Sequence, residues 1–293
     1  MTWANLPHLV GLEWFKLRKR PMLYVLLAVV IMFLVTTEAL GYLFIRFLPT
    51  TEGSGMTPQV RQGLLDSMAL PAALPGVFGN VQTIAAILTI VLAAVSFGGE
   101  FGWGTVRLLI GRGAGRAEYI LGKTLALAGW AVVFVVVGAV AGLATAAVIT
   151  ALEGHGFSGA LGDAGVGGLL ATAARTYLGT LVYLLLAAFA TVLTRSTAAG
   201  MAIGLVYYFV EGLVGNILGI FTSGWVAHLL QALIGVNVRG LMAANGQEAT
   251  TLVPAGLPSP TQSTLVLFLY VAAFVVAMLL LFRARDITAG GGQ

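Results

Sequence analysis

The sequence predicts an all-α integral membrane protein with six transmembrane helices, an N-terminal amphipathic interfacial helix and a short cytoplasmic helix between spans 2 and 3. Three observations predict it. First, 59% of the 293 residues are hydrophobic and 9% charged, whereas a soluble domain carries about a quarter charged residues and needs polar groups to cover its surface. Second, the apolar runs are long and unbroken. In lipid each backbone amide must be satisfied within its own segment or in a closed barrel, and runs without alternating polarity select helices. Third, the basic residues segregate to alternate loops.

Residues 1–20 form the first element. Within 6–20, Leu9, Leu12 and Phe15 share one face and Val10, Trp14 and Leu17 lie beside it, with Glu13, Lys16, Arg18, Lys19 and Arg20 interspersed. Too polar to span, this pattern suits a helix lying in the interface, with Trp14 at headgroup level and the lysine and arginine stems snorkelling. A cleaved signal peptide fits less well, because the apolar run that follows is longer than a signal core. The spans then read as residues 22–47, 77–97, 120–151, 169–193, 198–221 and 264–282, each meeting the roughly 20 residues a hydrocarbon core requires. Together, residues 1–293 make one transmembrane domain.

Residues 49–76 are polar and rich in Gly and Pro, and read as an outer loop. Residues 222–263 read as a second outer loop. Inside it the apolar stretch 225–236 is too short to cross and suits an interfacial or re-entrant helix. Pro254, Pro258 and Pro260 are expected to break any helix before the last span.

Orientation follows from the basic residues. With the N-terminus inside, Lys16, Arg18, Lys19, Arg20, Arg107, Arg112, Arg116, Lys123, Arg195, Arg283 and Arg285 are cytoplasmic, and Arg46, Arg61, Arg175 and Arg239 are outside. That asymmetry is the positive-inside signal and puts both termini in the cytoplasm. The expected location is therefore the bacterial or archaeal cytoplasmic (inner) membrane. The net charge of +4 reflects this asymmetry and gives no reason to expect nucleic acid.

Several chemistries find no support. There is no cysteine, so disulfides, iron–sulfur clusters and thiolate metal sites are excluded. His8, His155 and His228 lie far apart, which argues against a histidine metal site or a bis-histidine haem. Gly122-Lys123-Thr124 resembles the end of a phosphate-binding loop, but Ala117 stands where that loop needs glycine and no strand precedes it. Gly156-Phe157-Ser158-Gly159 resembles an intramembrane protease motif, yet the only later histidine, His228, falls in an outer loop. No catalytic residue, metal or cofactor is assigned to this chain.

The cytoplasmic stretch between spans 2 and 3 is the most informative. It runs Gly98-Gly99-Glu100-Phe101-Gly102-Trp103-Gly104-Thr105-Val106-Arg107-Leu108-Leu109-Ile110, then Gly111-Arg112-Gly113-Ala114-Gly115-Arg116, and ends at Lys123. Glycines permit a sharp turn after the membrane, and Thr105 can cap a short helix presenting Arg107 and Leu108 to a partner. From the residues alone two readings stand: a surface helix that transmits force from a soluble motor, or a basic loop that happens to contain glycine.

This stretch resembles the segment after the second span in membrane subunits of the ABC-2 family of ABC transporters. The matching residues are Glu100, the core Gly104-Thr105-Val106-Arg107-Leu108-Leu109, and then Arg116 and Lys123. Glu13-Trp14-Phe15-Lys16-Leu17-Arg18 is similar to that family's entrance helix. At Arg112-Gly113-Ala114-Gly115 the chain departs from the Pro or Ser more common there. The resemblance implies an exporter working by alternating access, built from two such subunits, as a homodimer or heterodimer, bound to two copies of a cytoplasmic ABC ATPase subunit. ATP and Mg would be bound by that partner. Glu100, Gly104, Thr105, Arg107, Leu108, Arg112, Arg116 and Lys123 would form the coupling region, with Glu13, Trp14, Lys16 and Arg18 on the entrance helix.

Polar residues inside spans complete the candidates. Glu38 lies in span 1; Glu211 lies in span 5 beside Tyr207 and Tyr208 and near Asn216. A carboxylate in hydrocarbon costs about 2.5–3.5 kcal/mol, so each should face protein or water. They suit a substrate path or, in the alternative reading, the proton or ion sites of a secondary transporter; equally, each suits a hydrogen bond that fixes packing. Gly138 and Gly142, Gly200 and Gly204, and Gly215 and Gly219 allow close helix approach.

Overall fold

Each of the six long apolar runs folds into a helix long enough to cross a hydrocarbon core. The computed structural model describes residues 6–49, 56–102, 115–157, 159–162, 165–218, 225–247 and 257–284. In chain order the helices are α1 (Leu6–Arg18), α2 (Pro21–Phe47), α3 (Pro58–Ser67), α4 (Leu74–Gly102), α5 (Arg116–Leu152), α6 (Gly165–Thr194), α7 (Thr197–Leu218), α8 (Trp225–Ala232), α9 (Ile234–Ala243) and α10 (Pro260–Ala284). Six of them, α2, α4, α5, α6, α7 and α10, are long and apolar enough to cross a membrane. The chain is thus all-helical among the described residues, with the six spans read from the sequence.

α4 and α6 form the centre, with 78% and 83% of their apolar windows buried, against 28%, 17% and 17% for α2, α7 and α10. Apolar side chains cover the outside of those peripheral helices: Phe44, Val206, Leu213 and Leu269 are all exposed, which is the surface a lipid solvent favours. Small residues let the centre close. A Cβ on Gly142 would lie 2.6 Å from Val77 Cγ1, and one on Gly204 would lie 2.7 Å from Ile90 Cγ2. The glycine pairs of α5 and α7 are therefore used within the chain. Nothing is described for the side-chain surroundings of Gly215, and Gly219 lies outside the described residues.

Helix ends follow local chemistry. Pro21 and Pro58 sit in the first turns of α2 and α3, where a missing N–H costs nothing and φ is already helical. Thr57 Oγ1 accepts from the Val60 N–H. Arg195 adopts φ 55° and Ser196 Oγ accepts from the Ala199 N–H at 3.3 Å, so α6 and α7 join through two residues.

Four expectations change. The stretch 49–76 contains α3, a helix with no long apolar face and so no strong period in sequence. The apolar stretch 225–236 is two helices, broken at Leu233; Asn237 Nδ2 bridges the break by donating to the carbonyls of Gln231 and Leu233 at 2.8 and 2.7 Å. The last span begins at Pro260, four residues earlier than expected, with no helix at 257–259 before it. Finally, α4 continues to Gly102 and α5 begins at Arg116, so Glu100 and Lys123 stand on helices. The span expected over 198–221 is described as helix to Leu218.

Candidate functional site

α1 lies along the first turns of α5, and residue size dictates how closely. Leu9 Cβ would be 3.1 Å from a Cβ on Gly122, and Trp14 covers Gly129 so tightly that a Cβ there would be 2.8 Å from the indole. Trp14 then stacks on Trp130, with centroids 4.3 Å apart and planes 14° apart. Trp14 is thus half-buried against α5, which offers a flat aromatic partner. Leu17 is buried, while Leu12, Phe15 and Arg18 are exposed.

This seating turns Glu13 inward. Its Oε2 accepts from Lys123 Nζ at 3.0 Å, and the same ammonium lies 2.8 Å from Glu100 Oε1. Lys16 pairs with Glu13 and, at 3.3 Å, with Glu100. Tyr119, one turn before Lys123, donates its hydroxyl to Glu100 Oε2 at 2.5 Å. Lys123 is 1% exposed, Glu100 4% and Glu13 5%; charges so buried persist only when paired and hydrogen-bonded. The Lys123 ammonium also lies 5.5 Å from the Phe97 ring centroid, within cation–π range. Burial alone would lower the Lys16 pKa, but the carboxylates of Glu13 and Glu100 outweigh it and raise it above 10.5.

The sequence assigned Glu13 and Lys16 to one element and Glu100 and Lys123 to another; the structure joins them in one node linking α1, α4 and α5. Arg116 stands apart, its Nη1 donating to the Arg283 carbonyl at 3.2 Å and so tying α5 to the end of α10. Gly104, Thr105, Arg107, Leu108 and Arg112 lie outside the described residues. Tyr119 and Trp130 were not singled out in sequence, although Tyr119 stands four residues before a lysine on a helix, the spacing of one face.

At the other end of α4, the second set of candidates divides. Glu211 is buried and accepts from the hydroxyls of Tyr183 at 3.3 Å and Tyr207 at 3.2 Å, with Gly235 so close that a Cβ there would lie 3.0 Å from Glu211 Oε2. The site therefore unites α6, α7 and α9. Tyr183, on α6, is the member the sequence did not single out. Glu38 is held elsewhere, accepting from Asn80 Nδ2 at 3.0 Å, so the two carboxylates share no hydrogen-bond partner. Tyr208 packs edge-on against Tyr183, centroids 4.9 Å apart. The side chain of Asn216 lies outside the described residues.

Beside the Glu211 group is a cavity of about 340 Å³, lined by α4, α6, α7 and α9 and including Gln82, Tyr183, Tyr208 and Arg239. Arg175 pins the end of α9 to α6 by donating to Asn245 Oδ1 at 3.0 Å and the Ala244 carbonyl at 3.4 Å. Gln82 and Glu100 stand 18 residues apart on one helix, about 27 Å at 1.5 Å per residue.

Residues 66–288 match the family described as "Protein of unknown function (DUF2705)". No curated protein matches the chain.

Proposed function

The chain belongs to the DUF2705 family, and from that premise and the geometry above we propose that it is the permease subunit of an ATP-driven exporter. The observation that carries this reading is the buried node. Glu100 and Lys123 flank residues 103–114, the segment that resembles an ABC-2 coupling helix, and both are ion-paired to Glu13 on α1 or to its neighbour Lys16. A push on that segment would reach α1, α4 and α5 together, because buried ion pairs do not slip without exposing an uncompensated charge. In this reading two copies of a cytoplasmic ATPase bind and hydrolyse ATP with Mg. Two permease subunits then rock between inward- and outward-open arrangements, and both termini lie on the cytoplasmic side. α1 is the entrance helix at the membrane surface, and α8 and α9 form a re-entrant element at the outer mouth. α5 would be about 55 Å long, longer than the roughly 30 Å core, so its first turns can project to meet the ATPase.

The test is to ask whether a neighbouring reading frame encodes an ABC ATPase and to reconstitute the two chains together in liposomes. Hydrolysis should depend on the chain and fall several-fold with Arg107→Ala and Leu108→Ala. An ATPase that does not co-purify, or whose activity ignores both substitutions, overturns the reading. Transport driven by a proton or ion gradient without ATP would favour a secondary transporter using Glu38 and Glu211.

A further inference from the structure

The cavity beside the Glu211 group has a volume of about 340 Å³, within the range of about 300–1,000 Å³ typical of small-ligand sites. Gln82 contributes to its wall and is 5% exposed, its amide held against Gly179, where a Cβ would come within 2.8 Å of Oε1. That Oε1 accepts from Thr180 Oγ1 at 3.5 Å, while Nε2 has no acceptor among the described residues. An amide N–H taken from water and left unmatched is costly, so a ligand that brings an oxygen acceptor gains by matching it. The wall asks for no ionic partner. Among the described residues Arg239 is the one charged side chain lining the cavity, and it is coupled electrostatically to Glu211, so the two opposite charges answer each other within the protein. The Glu211 oxygens in turn accept from Tyr183 and Tyr207.

Much of the remaining wall is carbon. Tyr183 and Phe209 each meet Tyr208 edge-on, with centroids 4.9 and 5.4 Å away, and all three rings line the cavity together with Val238 and Met242 of α9. Rings arranged in this way suit a flat apolar body, which can stack on one and meet another at its edge. Gly212, four residues after Tyr208 on α7, also lines the cavity and has open space where a Cβ would project. Backbone therefore stands where a larger residue would take up part of the volume.

We propose that this cavity binds a small uncharged ligand in which a flat apolar body carries a carbonyl-type acceptor, the acceptor meeting Gln82 Nε2 and the body lying against the tyrosine and phenylalanine rings. The inference is independent of the ATP-driven reading, since binding needs neither ATPase nor nucleotide. It is tested on the purified full chain in a neutral detergent, with the signal of protein-free micelles subtracted, by titration with naphthamide, naphthoate, naphthylmethylammonium and naphthalene, which share one bicyclic body. Naphthamide should bind saturably, and each of the others about ten-fold more weakly or worse. Gln82→Leu should bring naphthamide down to the affinity of naphthalene and leave naphthalene itself where it was. Gly212→Leu should weaken both, because it fills the space that the body occupies. Melting curves establish that each variant is folded; should Gln82→Leu not fold, Gly212→Leu and the comparison of the four molecules decide. Naphthamide that does not saturate overturns the proposal. Naphthoate or naphthylmethylammonium binding as tightly as naphthamide shows that a neutral ligand is not selected, and overturns it too. Equal binding of naphthalene does the same, because the acceptor is then not read. Naphthamide binding that ignores the folded variants places the ligand elsewhere and likewise overturns it.

Discussion

Lys123 and Glu13 stand 110 residues apart in the chain, yet Lys123 Nζ and Glu13 Oε2 meet at 3.0 Å in the protein interior. Removing the ammonium would leave the buried carboxylates of Glu13 and Glu100 without the counter-charge that both share. Lys123→Met should therefore destabilise the chain by about 3–5 kcal/mol, the range for breaking a buried ion pair, read as a lower unfolding midpoint in detergent. Adding Glu13→Gln should recover part of the loss; a double variant no better than the single one would count against the pairing.

The seating of α1 can be trapped covalently. The chain has no cysteine, so an introduced pair reports without background. Leu9→Cys with Gly122→Cys should form a disulfide on mild oxidation, because the two Cβ atoms would lie 3.1 Å apart, slightly inside the usual 3.5–4.5 Å. The readout is a mobility shift on non-reducing gels. If α1 transmits force, the oxidised form should lose coupled ATP hydrolysis and regain it on reduction.

The close helix crossings predict a graded response to added methyl groups. Gly142→Ala places a Cβ 2.6 Å from Val77 and should cost about 1–3 kcal/mol through overpacking. Gly212→Ala meets open space and should be neutral or slightly stabilising in a helix. Equal melting temperatures for the two variants would contradict the crossing geometry.

Glu211 is predicted to act as an acceptor shared by two tyrosines. Glu211→Ala strands the hydroxyls of Tyr183 and Tyr207 and should cost about 1–3 kcal/mol. Glu211→Gln retains an oxygen acceptor and should cost less, so an ordering of the two variants by stability checks the arrangement.

Asp66 allows a pH prediction. Hydrogen bonds from Gln62, and then from His155 at 3.1 Å, hold its pKa below the ordinary 3.8. A depressed carboxylate contributes stability above its unfolded pKa and loses it as pH falls through the folded value. Asp66→Asn should thus be less stable than the parent at pH 7, and the two should converge as pH drops below about 3.8. A difference that persists at pH 2 would show that Asp66 acts through packing rather than charge.

What could be read before folding was set by the range of each interaction. The six spans are legible because burial in lipid is a local property of about 20 residues. α3 escaped notice because its ten residues carry few apolar side chains, and the break at Leu233 because Asn237 repairs it with bonds no period encodes. In the node, Lys123 gave a signal that could have been followed: a lysine inside an apolar helix requires a counter-charge. Sequence alone cannot say which carboxylate answers it, since the two that do come from α1 and α4. Tyr183 gave no such signal, because a tyrosine in a span is ordinary until Glu211 is placed beside it.

Among the described residues the node holds two lysines and two glutamates, whose charges sum to zero. An elementary charge crossing 100 mV gains or loses about 2.3 kcal/mol, but a neutral quartet moving as a unit does no net electrical work. The quartet itself therefore adds no voltage dependence to a displacement of α1, α4 and α5, and any such dependence must come from charges outside it, such as Arg18 on α1 and Arg116 on α5. The pairing energy of the quartet is in that sense the same in an energised cell and in a de-energised vesicle.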